Sequence, residues 1–374
     1  MKKKLTIALV ATTADTLNSF MLAHVKQLST KYKILIYCNN ALSLKKLVPK
    51  SVILKNINFR RKPHLIIDFL TFLILLFFFL KNRPNLTISL SPKAGFLTAI
   101  SSFIARVSFR IHWFTGQVWV TKKGFFYIFY KFLDKIISNL SHHILVDSYS
   151  QMKFLVSKSI ISKNKSSVLL NGSVGGVNLK KFKFKKKSRD GLRRKFQISK
   201  NDFIFLYLGR INKDKGVIDL IEAFKGLQES YKMFLILAGP MEDNYIKEQI
   251  NKNNKIYYIG KTLSPEKWYS MADILCLPSY REGFGSVVIE AGSCNLPSLG
   301  SNIYGISDSI VQNQTGILHK VGNIIDIKKK MLFAINNKKL LKKYGLNARK
   351  RVERKFEERL ICKKFFEFIN QKLD

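Results

Sequence analysis

DILCLPSYREGFGSVVIEAGSCNLPSLG (273–300) reads as a complete strand–turn–helix–strand unit. A short apolar run ends at Pro278, and a glycine-rich turn then carries Glu282, Gly283, Phe284 and Gly285. A helix bearing Glu290 follows, and LPSLG (296–300) supplies the next strand. Near-continuous apolar strands that alternate with helices indicate a parallel sheet covered on both faces. The alternation extends in both directions. FIFLYLG (203–209), MFLILAG (233–239) and KIYYIG (255–260) lie upstream, and GILH (316–319) lies downstream. An earlier series comprises LTIALV (5–10), KILIYC (33–38), LTISLS (86–91), HHILVD (142–147) and SSVLLN (166–171). Two such series in 374 residues imply two α/β domains.

The basic run VNLKKFKFKKKSRDGLRRKF (177–196) separates the series and shows neither helical nor strand periodicity. It places a solvated linker at 179–196, between an N-terminal domain at 1–178 and a C-terminal domain at 197–355. The last segment, 356–374, is helical by pattern. Its aromatic face, in FFEFINQKL, needs a partner surface, and packing back on the N-terminal domain is expected.

Composition is globular, with 47% hydrophobic and 24% charged residues. The charge is lopsided. The chain carries 65 Lys and Arg against 24 Asp and Glu, a net +41. Residues 1–187 alone hold 32 basic and 4 acidic side chains, a net +28, and no Glu precedes Glu222. Such a half reads as a face for anionic lipid or polyphosphate. The four cysteines have no metal or disulfide spacing and read as buried thiols. MKKKLTIALVATTAD imitates a signal peptide, but its short apolar stretch fits a buried first strand. The run from Phe69 to Leu80 is shorter than the ~20 apolar residues of a membrane span. It is expected to be a core helix with one face available to a membrane surface, not a transmembrane anchor.

Two segments carry chemistry. In LYLGRINKDKGVIDLIEAF (206–224), a strand ends at Gly209, Arg210 and Lys215 follow, and a helix starts near Val217. Ligands of open α/β sheets bind beyond the carboxyl ends of strands, and two cations at that edge suit a diphosphate. In the second segment, the glycines around Glu282 let backbone amides reach a phosphate at the helix start. Glu282 and Glu290, eight residues apart, would face other atoms, such as sugar hydroxyls or a developing positive charge.

The pair GRINKDKG and EGFGSVVIE resembles the signature of family 4 retaining glycosyltransferases. That resemblance implies the GT-B fold, an α/β architecture of two Rossmann-like domains whose parallel sheets face a central cleft. It implies that Glu282 contacts the donor sugar and Glu290 the ribose. Arg210, Lys215 and the loop amides of Gly283, Phe284, Gly285 and Ser286 would hold the diphosphate. SPKAGFLTAI (91–100), RIHWFTGQVWV (110–120) and LNGSVGGVNLKKF (170–182) are similar to the bacterial surface-polysaccharide branch, whose acceptors ride on polyprenyl diphosphate. Two departures stand out. ATTADTLNSF replaces the glycine-rich turn after the first strand, leaving Thr12, Thr13 or Ser19 to serve there, and Thr115 replaces a His before Gly116. Thr13, Thr115 and Gly116 are the acceptor-side candidates.

The expected activity is transfer of a hexose or N-acetylhexosamine from a nucleoside-diphosphate sugar, UDP by preference, with retention, to a lipid-linked or other glycan. The expected place is cytoplasmic, peripheral on the inner face of the cell membrane, with salt-sensitive attachment to anionic lipid. No metal or cofactor is expected, since no Asp-x-Asp occurs, and no nucleic acid partner is expected. A GT-B nucleotide-sugar epimerase and a non-enzymatic basic module for nucleic acid or anionic membrane are the alternatives.

Overall fold

The computed structural model describes residues 4–60 and 64–373, so Lys2 and Lys3 of the signal-like start lie outside the described residues. The chain forms two compact units, Met1–Gly176 with Glu358–Asp374, and Val177–Glu357. Each is a parallel sheet between helices.

The strands of the first unit are β1 (Thr6–Thr13), β2 (Lys33–Asn39), β3 (Ile53–Asn56), β4 (Leu86–Leu90), β5 (Phe109–Phe114), β6 (His143–Val146) and β7 (Ser166–Val168). Their spatial order is β3-β2-β1-β4-β5-β6-β7. The apolar residues of β1 are buried from Ile7 to Ala11, as a central strand requires. The signal-like stretch is therefore the middle of a sheet. The helices are α1 (Ala14–Phe20), α2 (Leu22–Lys31), α3 (Leu65–Asn82), α4 (Pro92–Ile104), α5 (Gly124–Leu140) and α6 (Tyr149–Ser157).

Helix α3 has the free face expected of it, but less of it is covered than in a core helix. Only Thr71, Leu75 and Phe79 are buried, and its outer face, including Phe69 and Phe77, is exposed. The run is apolar all round, so its composition gave no sign of which side would be covered. Asp68 in its first turn pairs with Lys93 of α4 at 2.8 Å, which pins the helix to the domain.

In the second unit the strands are β8 (Phe203–Leu208), β9 (Met233–Ala238), β10 (Ile256–Tyr258), β11 (Ile274–Leu277), β12 (Ser298–Ser301) and β13 (Gly316–His319), in the order β10-β9-β8-β11-β12-β13. The helices are α7 (Lys186–Lys195), α8 (Val217–Lys225), α9 (Asn244–Asn251), α10 (Pro265–Met271), α11 (Ser286–Ser293), α12 (Ile306–Ser309), α13 (Ile324–Asn336) and α14 (Lys338–Lys355).

The expected linker at 179–196 is part of this unit, and its second half is α7. Arg189 and Arg193 both grip Asp273, at 2.6 and 2.8 Å, with Arg193 almost wholly buried. Charges that read as solvated in the sequence share one carboxylate that lies 80 residues further on. All four cysteines are buried free thiols.

The last helix, α15 (Glu358–Leu373), returns to the first unit. Phe365 and Ile369 are fully buried in the core that holds β1 and β4. The Phe365 ring sits 4.7 Å from the His24 ring and 5.3 Å from that of Trp113, centroid to centroid. Phe365→Ala should therefore cost about 3–5 kcal/mol, as buried aromatic truncations do. Urea denaturation of the full chain, followed by Trp fluorescence, checks it. A loss below about 1 kcal/mol, the level of an ordinary surface change, would detach α15 from the core.

Candidate active site

In both sheets the strand order reverses beside a central strand, between β1 and β4 and between β8 and β11. Connections leave such a pair toward opposite faces, which opens a crevice at the carboxyl edge. The two chemistry-bearing loops of the second unit follow β8 and β11.

The loop after β8 makes a tight turn at Lys213–Lys215, in which Asn212 Oδ1 accepts the Lys215 amide at 3.2 Å. Gly216 has φ +65°, and a Cβ there would lie 2.1 Å from the Pro278 carbonyl oxygen. Only glycine lets α8 start so close to the second loop. The loops then interlock. The Tyr280 amide donates to the Asp214 carbonyl at 3.0 Å, and Arg281 pairs with the Asp214 carboxylate at 3.1 Å. The Tyr280 hydroxyl donates to Asp219 at 2.7 Å.

Lys215 and Glu282 meet at the centre. Lys215 Nζ lies 2.5 Å from Glu282 Oε1, which also accepts from Ser279 Oγ at 2.9 Å. Both side chains are largely buried, at 15% and 16% exposure, so water screens the pair weakly. Helix α11 begins just beyond. Its N-cap, Gly285 at φ +79°, offers no capping side chain. The first-turn amides of Ser286 and Val287 have no acceptor within the helix and present the positive end of its dipole. Phe284 is turned into the core against Phe356, ring centroids 5.2 Å apart, so only its backbone is available to the loop.

Arg210 and Glu290 are anchored separately. Arg210 Nη1 pairs with Glu242 Oε2 at 3.2 Å, and Asn212 Nδ2 donates to the same oxygen at 2.7 Å. Glu290 retains some exposure at the surface of α11, yet burial around its carboxyl pushes the pKa up to about 7. The Tyr269 hydroxyl donates to Glu290 Oε2 at 2.8 Å and opposes that rise, as does the charge of Lys181. Asp214, Glu242, Tyr280 and Arg281 carry no signature of their own in the sequence. Arg281 sits next to Glu282 and was the nearest clue.

In the first unit, Thr13 Oγ1 caps α1 by accepting the Thr16 amide. Thr12 Oγ1 lies 2.6 Å from Ser91 Oγ and ties β1 to the start of α4 across the strand-order reversal. Ser19 is exposed near the end of α1, away from that turn. Thr115 is partly exposed, and Gly116 is buried with φ +125°. Beside them the fully buried Gln117 accepts from Gln151 Nε2 at 3.1 Å, while its own Nε2 has no partner among the described residues. His112 and His24 are packing residues. His112 Nδ1 meets Ser89 Oγ at 2.8 Å and His24 Nε2 meets the Val174 carbonyl at 2.7 Å. Desolvation lowers their pKa values to about 3 and about 4. Among the described residues, no group of three His, Cys, Asp or Glu side chains could hold a metal ion.

Residues 188–351 match the family described as glycosyl transferases group 1. The capsular polysaccharide biosynthesis glycosyltransferase CapM of Staphylococcus aureus is 31% identical over 318 residues, 83% of each chain. A Campylobacter jejuni enzyme is 27% identical over 153 residues, 40% of this chain and 43% of its own. It is described as a GalNAc-alpha-(1->4)-GalNAc-alpha-(1->3)-diNAcBac-PP-undecaprenol alpha-1,4-N-acetyl-D-galactosaminyltransferase. Among solved structures, Anabaena HepE in complex with UDP and glucose superposes with TM-score 0.81 at 16% identity, covering 98% of this chain and 100% of that one. The fold of the chain is GT-B.

The raised pKa of Glu290 has a signed consequence. Between about 4.5 and about 7 the native carboxyl keeps a proton that the unfolded chain has released. Stability contributed at this residue therefore falls as pH rises through that window and is level above it. Relative to the wild type, Glu290→Gln should gain of order 1–2 kcal/mol on going from pH 5 to pH 8, after allowing for the residue's partial exposure. Paired urea melts at the two pH values measure the difference. An unchanged difference would mean that the carboxyl ionises normally.

Proposed function

Because the chain belongs to the glycosyl transferases group 1 family, we propose that it moves a hexose or N-acetylhexosamine from a UDP-sugar, with retention, to a glycan carried on polyprenyl diphosphate. The single observation that carries the reading is the placement of Lys215, Glu282 and the uncapped start of α11 at one strand-order reversal. The relatives support the rest. CapM is described as acting in capsular polysaccharide biosynthesis, the Campylobacter name places its acceptor on undecaprenol, and HepE is described with UDP and glucose. Surface polysaccharide assembly at the inner face of the cell membrane is the corresponding setting.

In this reading the diphosphate lies over the first turn of α11, within reach of the Lys215 ammonium. Negative charge grows on it as the bond from the sugar C1 to the phosphate oxygen breaks, and fixed cations and amide dipoles stabilise that charge without reorganising. Arg210 stands at the outer side of the same loop as a second cation. The acceptor hydroxyl bonds to C1 on the face the phosphate leaves, and its proton passes to the departing phosphate oxygen. Glu282, released from Lys215, faces the sugar and the positive charge that develops at C1. Glu290 accepts from the ribose hydroxyls, with Tyr269 holding its other side. Thr13, Thr115 and Gly116 are the candidate residues for the acceptor.

Three kinetic outcomes test this, on a donor first identified by a thermal-shift screen of nucleotide-sugars. Lys215→Ala should lower kcat/KM roughly tenfold to a hundredfold, the loss expected for one charge-assisted contact. Glu282→Gln should lower kcat without raising the donor KM, whereas Glu290→Gln should raise the donor KM, because a ribose contact persists through the reaction. The opposite split would exchange the two roles, and unaltered kinetics in all three variants would remove the site. Because Lys215, Arg210 and the helix start supply the positive charge, turnover should continue in excess EDTA. Full loss restored by a divalent cation would assign the diphosphate to a metal instead.

A further inference from the structure

Of the 18 residues of α3, those facing outward form an almost wholly apolar surface, and the helix is long and apolar enough to cross a membrane by length and composition alone. It cannot do so in this fold. Leu75 and Phe79 belong to the core beneath it, and Asp68 is tied to Lys93. The helix lies along the domain, about 27 Å of it, with only one stripe covered.

Helix α5 repeats the arrangement. Asp134, Ile137 and Ser138 are buried, while Phe125, Ile128 and Phe132 are exposed by 73%, 67% and 60%. Helix α4 packs against both helices, and its Phe96 contributes to the cores under each. The outward faces of α3 and α5 therefore belong to one helical layer. Isolated exposed apolar residues need no explanation, but two neighbouring helices with their aromatic rows turned outward do.

The charges around these rows select the occupant. From residue 57 to residue 141 the chain has two acidic side chains. Asp68 is paired with Lys93, and Asp134 is buried as the acceptor of the Trp119 indole N–H at 2.8 Å. Five basic residues flank the two helices. Arg60 precedes α3, Lys81 and Arg83 end it, and Lys122 and Lys123 lead into α5, all of them exposed. Lys81 Nζ stands 5.8 Å from the Phe77 ring centroid, so charge and apolar surface are adjacent. An apolar face rimmed by cations and free of unpaired acid matches a leaflet of anionic phospholipid, whose acyl boundary takes the rings and whose headgroups take the lysines.

We infer that α3 and α5 form a two-helix platform that inserts its aromatic rows into the headgroup–acyl boundary of an anionic bilayer, parallel to the membrane plane. The inference builds on the reading of a lipid-linked acceptor, which requires the chain at a membrane, and its test is separable from sugar transfer.

The full chain is co-sedimented with vesicles of phosphatidylglycerol and phosphatidylcholine, and with phosphatidylcholine alone. Wild type should bind the anionic vesicles at low salt and retain a measurable fraction in high salt, because insertion is not screened. Leu73→Glu with Phe77→Glu, and separately Phe125→Glu with Phe132→Glu, should weaken partitioning about tenfold or more at both salt levels. Lys122→Glu with Lys123→Glu should weaken it at low salt only. Each variant should keep the wild-type melting temperature and UDP affinity, which separates loss of docking from loss of fold. Vesicle binding that the apolar-face variants do not reduce would overturn the inference. So would absence of binding together with a wild-type dimer that these variants dissociate, which assigns the face to a second copy. Failure of sugar transfer with vesicle binding intact would count against the proposed function alone.

Discussion

Strands β8 and β11 lie side by side and parallel, although 65 residues separate the end of one from the start of the other. That adjacency is the constraint on which the site depends. Parallel neighbours release their following loops at the same edge, and the connections on either side leave toward opposite faces. The loops of Arg210–Gly216 and Ser279–Gly285 are thus delivered to one place by backbone pairing, before any side chain contributes. The close approach of Gly216 to Pro278 and the Asp214–Arg281 pair then lock one loop against the other. A β-carbon at Gly216 would strike backbone, which cannot swing aside as a flexible side chain can.

Within that frame the charges compensate one another. Lys215 is held by Glu282, a carboxylate placed at the mouth of a helix whose free amides themselves favour an anion. A carboxylate at an anion site is tolerable because the ammonium compensates it. Under the proposed function, an arriving diphosphate would offer Lys215 a partner of higher charge and give the α11 amides an acceptor, leaving Glu282 to serve positive charge elsewhere. One ion pair thereby keeps both groups largely buried at modest cost, since burying either alone would be far worse.

Much of this was legible in the sequence because it depends on local pattern. Short β-branched runs, glycines at turns and cations just past strand ends have meanings that do not require knowing the fold. The two-domain α/β reading, Lys215, Glu282 and the packing role of His112 follow from such features. What escaped depends on contacts distant in sequence. The run at 179–196 looked solvated because its partner, Asp273, is far along the chain and gathers two guanidiniums at once. The extent of the free face on α3 was not legible, because composition reports how apolar a helix is and not how much of it is covered. Phe284 sits amid glycines in a turn, and nothing nearby reveals that its ring goes inward to Phe356. Glu290 has an elevated pKa because of what surrounds it, with Tyr269 and Lys181 only moderating the rise, and neither lies in its own motif.

The central claim is that Lys215 is shared between Glu282 and the diphosphate of the donor. Calorimetric titration of UDP, without sugar, into the wild type and Glu282→Gln tests it most directly. Removing the carboxylate charge frees the ammonium and relieves repulsion of the phosphates, so the variant should bind UDP more tightly, by roughly tenfold for about 1.4 kcal/mol of released pairing. The gain should vanish when Lys215→Ala is added. Equal or weaker UDP binding by Glu282→Gln would contradict the account, since it would mean that the Lys215–Glu282 pair does not compete with the ligand.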